Sequence, residues 1–216
     1  CAALSQHALD DLPADALFLR SLATLLQGVA RMAPGDEEEG ARLLEELAAR
    51  SQEIGNTLIA ATALCSLGEL RQKQGALRHA RAYYEEALAL ATDARGRLLP
   101  AAGMAMIGLA DLAREQNDIV TAQRLATEGI ALVEHWSPMA AFDGHMTLMR
   151  IAMAQGDRQR TGAELHRLRA IAVAFDISML DDYVVEMMEA HAALAAGDLP
   201  TAQRWAERRG LNGRAS

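Results

Sequence analysis

One signature recurs along the chain at a nearly fixed interval, and it constrains the fold more than any other feature. It reads Gly35-Asp36, Gly75-Ala76, Asn117-Asp118, Gly156-Asp157 and Gly197-Asp198, with spacings of 40, 42, 39 and 41 residues. Five residues after the first member of each pair stands a small residue: Gly40, Ala80, Ala122, Thr161 and Ala202. Seven residues before it stand Gly28, Gly68, Ala110, Met149 and Ala190, small in all but one case. Self-similarity at a fixed period marks a stacked array, in which each unit buries its apolar face only against its neighbours.

Around the second signature, Leu64, Leu67 and Leu70 precede the turn, and Leu77, Ala80, Tyr84, Ala87, Leu88 and Ala91 follow it. Spacings of three and four are the helical period, so the unit is two amphipathic helices joined by a short turn. Gly75 stands where the first helix ends in the left-handed conformation, and asparagine, as at Asn117, is the usual substitute. The Asp that follows in four of the five signatures is placed to cap the next helix, and Asp36 through Glu39 put four acids at one helix start. Small residues on both helices allow close approach. The predicted fold is all-α, a superhelical array of about five hairpins with units near 15–54, 55–96, 97–137, 138–177 and 178–212. Residues 1–12 are expected to be the second helix of a preceding unit. The chain opens at Cys1 rather than at methionine, and is expected to be a piece of a longer protein.

Composition excludes several functions. A net charge of -8 and a pI near 5.3 argue against direct nucleic-acid binding, which asks for a basic face. The two cysteines, Cys1 and Cys65, cannot form a disulfide framework, and a cytoplasmic setting is expected. No apolar run approaches the roughly 18 residues of a membrane span. The six histidines show no HExxH or Cys/His ligand spacing, so no metal is expected. No local signature unites a nucleophile with a base, and an enzyme is not expected.

The stretch Leu64–Leu90 resembles the tetratricopeptide pattern, through Leu67-Gly68, Lys73-Gln74-Gly75, Ala80, Tyr83-Tyr84 and Ala87-Leu88. The third unit carries a narrower likeness in Leu99-Pro100-Ala101-Ala102-Gly103, Gly108-Leu109, Asn117-Asp118-Ile119, Glu128-Gly129-Ile130-Ala131-Leu132 and Trp136. Gly197-Asp198-Leu199 and Trp205-Ala206-Glu207-Arg208 add to it near the end. With its longer period, the chain resembles the sensor domain of MalT-like transcriptional regulators of the LuxR class. It departs from that family at Glu115-Gln116, where an aromatic pair is common, and at Met106, where histidine is common. The resemblance implies a right-handed superhelix that binds a small-molecule effector or a regulatory protein. It also implies an ATP-binding switch module before the segment and a DNA-contacting helix-turn-helix after it. No cofactor is expected within these residues, which contain no GxxxxGK[ST] loop. The alternative is a free-standing protein-interaction scaffold. Exposed end units make self-association possible.

The first helix of each hairpin is expected to line the concave face. Its inward positions are Glu69 and Gln72; Met104, Ile107, Asp111 and Arg114; Asp143, Met146, Arg150 and Met153; and Val184, Met187 and His191. Glu69, Asp111, Arg150 and His191 fall at one repeat position and form a polar ladder. Beside them runs a methionine stripe, since nine of the ten methionines follow residue 100. Methionine either fills gaps between long helices, the usual meaning of a stripe at helical spacing, or makes an adaptable apolar floor for a ligand. The candidate binding residues are Glu69, Gln72, Asp111, Arg114, Met146, Arg150, Met153, Met187 and His191. Tyr83, Tyr84 and Trp136 are expected to anchor neighbouring hairpins.

Overall fold

A computed structural model describes residues 2–32, 35–175 and 181–211. Cys1 and the expected boundaries at 177/178 and 212 lie outside the described residues. Eleven helices are present among them. α1 (Ala2–Asp11) leads into five hairpins: α2 (Leu17–Ala30) with α3 (Glu37–Glu53), α4 (Thr57–Lys73) with α5 (Leu77–Leu90), α6 (Ala102–Glu115) with α7 (Ile119–Val133), α8 (Pro138–Ala154) with α9 (Arg158–Phe175), and α10 (Asp181–Ala195) with α11 (Leu199–Arg208). Thr92 and Leu98 form an isolated bridge, and no strand occurs among the described residues.

The turns are built as their residues demand. Gly75, Asn117, Gly156 and Gly197 have φ of 75°, 61°, 70° and 77°, and Gly35 has 105°. After four of these residues the next amide reaches back five positions. Ala76 N donates to Arg71 O at 2.8 Å, Asp118 N to Ala113 O at 2.9 Å, Asp157 N to Ala152 O at 2.9 Å and Asp198 N to Ala193 O at 2.8 Å. These bonds satisfy carbonyls that the helix end would otherwise leave bare. Asp118, Asp157 and Asp198 then cap the following helix through the amides of Thr121, Arg160 and Thr201. Asp36 does not cap. Its backbone lies at φ -121°, ψ 10°, and the Gly35 amide donates instead to the Glu37 carboxylate at 2.8 Å.

Each hairpin packs on the next, and the first helices also pack on one another: α2 on α4, α4 on α6, α6 on α8 and α8 on α10. Backbones of second helices in neighbouring hairpins stand farther apart among the described residues, and α3 and α5 meet only through long side chains, as where Gln52 donates to Glu86 at 3.0 Å. The first helices therefore form the tighter, inner layer. Alanine makes this possible: Ala60, Ala61 and Ala63 on α4 and Ala102, Ala105 and Ala110 on α6 are wholly buried.

Small residues work at the expected places and at one more. A methyl group on Gly40 would lie 2.8 Å from Gly28 O, so α2 and α3 touch through glycine backbone. In the third hairpin the same contact is made by Gly103 and Gly129, each of which would put a Cβ within 2.8 Å of the other's carbonyl oxygen. Tyr84 is 2 % exposed, and its ring lies between Gly68 on α4 and Gly108 on α6, anchoring two hairpins. Tyr83 ties α5 to α3 by donating to Glu45 at 2.8 Å. Trp136 is 37 % exposed and donates to Leu132 O, one turn back at the end of α7. His145 pairs with the buried Glu164 at 2.7 Å, and Arg167 donates to the same carboxylate at 2.8 Å, joining α8 to α9. α2 leaves Leu19, Leu22, Leu26 and Val29 exposed along one side.

Candidate functional site

The inner layer is not closely packed throughout. Between α4, α6 and α8 it leaves a cavity of about 630 Å³, large enough for a small molecule or a side chain. Met104 and Ile107 on α6 and Met139 and Met146 on α8 give it an apolar floor. Polar walls come from Glu69, Gln72 and Lys73 on α4, Asp111 and Glu115 on α6, and Asp143, Thr147 and Arg150 on α8.

Asp111 is the centre of the wall. Gln72 Nε2 donates to its Oδ2 at 2.7 Å and Arg114 Nε to its Oδ1 at 2.7 Å, while Arg150 Nη1 stands 3.8 Å from the same Oδ1. Gln72 also donates toward Glu115 at 3.3 Å and accepts from the Tyr84 hydroxyl at 3.3 Å. One carboxylate thus links α4, α6 and α8, with α5 joined through Tyr84. Charge-assisted bonds of this kind fix orientation more firmly than neutral ones.

Glu69 and Asp143 differ from Asp111. Neither forms a hydrogen bond or ion pair among the described residues. Glu69 is exposed on the open side of the cavity; the protein around it takes away part of its hydration, which raises its pKa, and Lys73 partly offsets the rise. Asp143 is pushed up to about 7, first by burial and then by the negative charge of Glu69, against the pull of Arg150 and Lys73. Burial likewise holds the Tyr84 hydroxyl and the Cys65 thiol above their ordinary ranges.

The structure brings together Glu69, Gln72, Asp111, Met146 and Arg150 in this cavity, with Arg114 behind Asp111. It places the other three candidates elsewhere. Met153 lines a separate cleft of about 210 Å³ beside Arg158, Gly162 and Ala192. Met187 packs against the core of Phe142, Met149, Leu168, Val185 and Met188. His191 is exposed on α10, and α10 touches neither α4 nor α6. Equivalence along the repeat is therefore not proximity, and the ladder gathers into a site only over three hairpins. Met146 and Met153 also pack against the Phe142 core, so the methionines serve as gap-fillers and as floor together.

Lys73, Glu115, Tyr84, Ser137, Met139 and Thr147 also line the cavity without having been singled out as binding positions. Lys73 and Glu115 lie four residues beyond Glu69 and Asp111, so extending the inward stripe by one turn would have found them. Tyr84 comes from a second helix and enters through the gap left by Gly68 and Gly108, which a single helix pattern does not show. No group of three or more His, Cys, Asp or Glu side chains among the described residues could hold a metal ion. No helix among them is long and apolar enough to cross a membrane.

Fold and cavity define a tetratricopeptide-like array of helical hairpins with an open cavity in its inner layer. The family model of the MalT-like TPR region matches residues 1–214, and the chain belongs to that family. Among curated proteins none matches it.

Proposed function

We propose that the chain is the sensor region of a bacterial transcription regulator, and that an effector or a regulatory protein engages the cavity between α4, α6 and α8. The observation that carries this reading is the reach of the Asp111 network across three successive hairpins. An occupant there touches all three, so its affinity depends on how they are set against one another. Differential affinity for two such settings is what a ligand needs to bias a switch. In this reading the segment binds and does not catalyse, ATP belongs to a module before it, and DNA contact belongs to a helix-turn-helix after it. Cytoplasmic residence follows from that role.

The test is the coding sequence on both sides of the segment. A P-loop module upstream and a helix-turn-helix downstream support the proposal. Unrelated domains on both sides would overturn it. Within the chain, Asp111→Ala with Arg150→Ala is expected to weaken effector binding while leaving the helical circular dichroism intact.

A further inference from the structure

The cavity has a charge pattern that selects among ligands. Four carboxylates (Glu69, Asp111, Glu115 and Asp143) face two cations, Lys73 and Arg150. Asp111 is already served by Gln72, Arg114 and Arg150, and Glu115 accepts from Gln72 and Arg114. Lys73, exposed beside Glu69, makes no ion pair within 4 Å among the described residues. Glu69 on α4, exposed, and Asp143 on α8, half-buried, have no protein donor or ion-pair partner among the described residues, and stand on different helices around one space. Ionised together, the two carboxylates repel each other, and that repulsion falls when a cation arrives between them. The floor below them is hydrocarbon and thioether from Met104, Ile107, Met139 and Met146. Methionine there adapts to varied apolar shapes.

We propose that this cavity recognises a small organic cation, a protonated amine carried on an apolar body, with the ammonium donating to Glu69 and Asp143 and the body lying on the methionine floor. An anion would meet the carboxylate excess, and a neutral polar ligand would leave both acids without a counter-charge. The inference rests on the sensor reading of the same cavity, and deepens it by naming the ligand's chemistry. Proton and amine compete for the same two carboxylates, so amine affinity rises with pH as they ionise. The other charged or titratable groups around them are Cys65 and Lys73 on α4, Tyr84 on α5, Asp111, Arg114 and Glu115 on α6, and Arg150 on α8.

Three probes of equal size test this: n-hexylamine, hexan-1-ol and hexanoate, titrated calorimetrically into the 216-residue chain at pH 6 and pH 8. The amine is expected to bind most tightly of the three, and more tightly at pH 8, while the alcohol shows no such pH dependence. Glu69→Gln and Asp143→Asn, made separately, are each expected to weaken amine binding roughly tenfold and to weaken alcohol binding far less, since a neutral hydroxyl loses no charge pairing. Neither side chain holds an ion pair in the fold, and the pH comparison on the unaltered chain stands even if one variant misfolds. Tighter binding of alcohol or hexanoate would overturn the cation inference and leave the cavity as a sensor site. Amine binding that ignores both variants would overturn it too. Binding of none of the three would overturn it and count against the cavity as the sensor's site as well.

Discussion

Gly108 and Gly162 both sit inside helices, and what surrounds them decides what each is worth. A methyl group on Gly108 would lie 2.3 Å from the Tyr84 ring, and that ring is held from the other side by Gly68. A methyl group on Gly162 would meet nothing within 4 Å. Gly108→Ala is therefore expected to destabilise by about 2 kcal/mol, overpacking outweighing the gain of about 1 kcal/mol in helix propensity. Gly162→Ala is expected to stabilise by about 0.5–1 kcal/mol, because only the propensity gain remains. Urea unfolding of the two variants beside the parent checks both, and equal shifts would dissolve the distinction. Close contact at Gly28 and Gly40 was legible from their places on either side of a turn. The Gly103–Gly129 contact was not, because it pairs the start of α6 with the end of α7, far from the turn that sets the repeat's phase. The slot for Tyr84 was hidden for a related reason: its two glycines belong to different hairpins, and only the stacking of α4 on α6 brings them together.

Among the elements, the hairpin turns were the most legible, because a left-handed residue and a capping side chain are each demanded by local geometry. Gly75 and Asn117 end their helices as read, and Asp118, Asp157 and Asp198 cap the helices that follow. Asp36 failed because the turn before it opens differently, at φ -121°, ψ 10° against -86°, 73° for Asp118. A residue type names a cap, but only the backbone angle aims it. Ala76 is the converse case: its angles, -82° and 58°, are close to those of the capping aspartates, yet it has no side-chain acceptor and α5 begins uncapped. Ala76→Asp is expected to stabilise the array by about 0.5–1 kcal/mol, and Asp118→Ala to cost about 1 kcal/mol. Asp36→Ala should change stability by less than about 0.5 kcal/mol, since it removes no cap. Shifts in the denaturant midpoint at constant m-value measure all three. A loss at Asp36 equal to that at Asp118 would mean that Asp36 caps α3 in solution.

For the molecule as a whole, the acidic balance of -8 was plain in the sequence, but not where its strain collects. Glu69, Asp111 and Arg150 share a repeat position, whereas Asp143, two turns before Arg150 on α8, stands in the pattern only as one inward residue among others. Their meeting depends on three inner helices leaving a space between them, which no single helix pattern encodes. The consequence is a pH dependence of stability with a definite sign. Asp143 has a folded pKa of about 7, against an ordinary value of 3.8, and Glu69 is raised as well. Between those limits the folded chain binds more protons than the unfolded chain, so stability falls as pH rises from about 4 to about 7 and levels off above. Below pH 4 the slope reverses. Glu39, Asp93, Asp118 and Asp198 have lowered pKa values, and the stability they contribute when ionised is lost as they protonate. Asp143→Asn removes the ionisation on the high side while keeping the shape of the side chain. The variant is expected to exceed the parent at pH 8 by on the order of 2 kcal/mol, since water in the cavity screens part of the full shift, and to match it near pH 4. Thermal unfolding from pH 3 to pH 9 decides the point: curves that stay parallel across pH 4–7 would place the strain elsewhere than at Asp143. Convergence at low pH with divergence at high pH would mean that the ionised cavity is held open at a cost to the fold, a cost that a bound cation is placed to relieve.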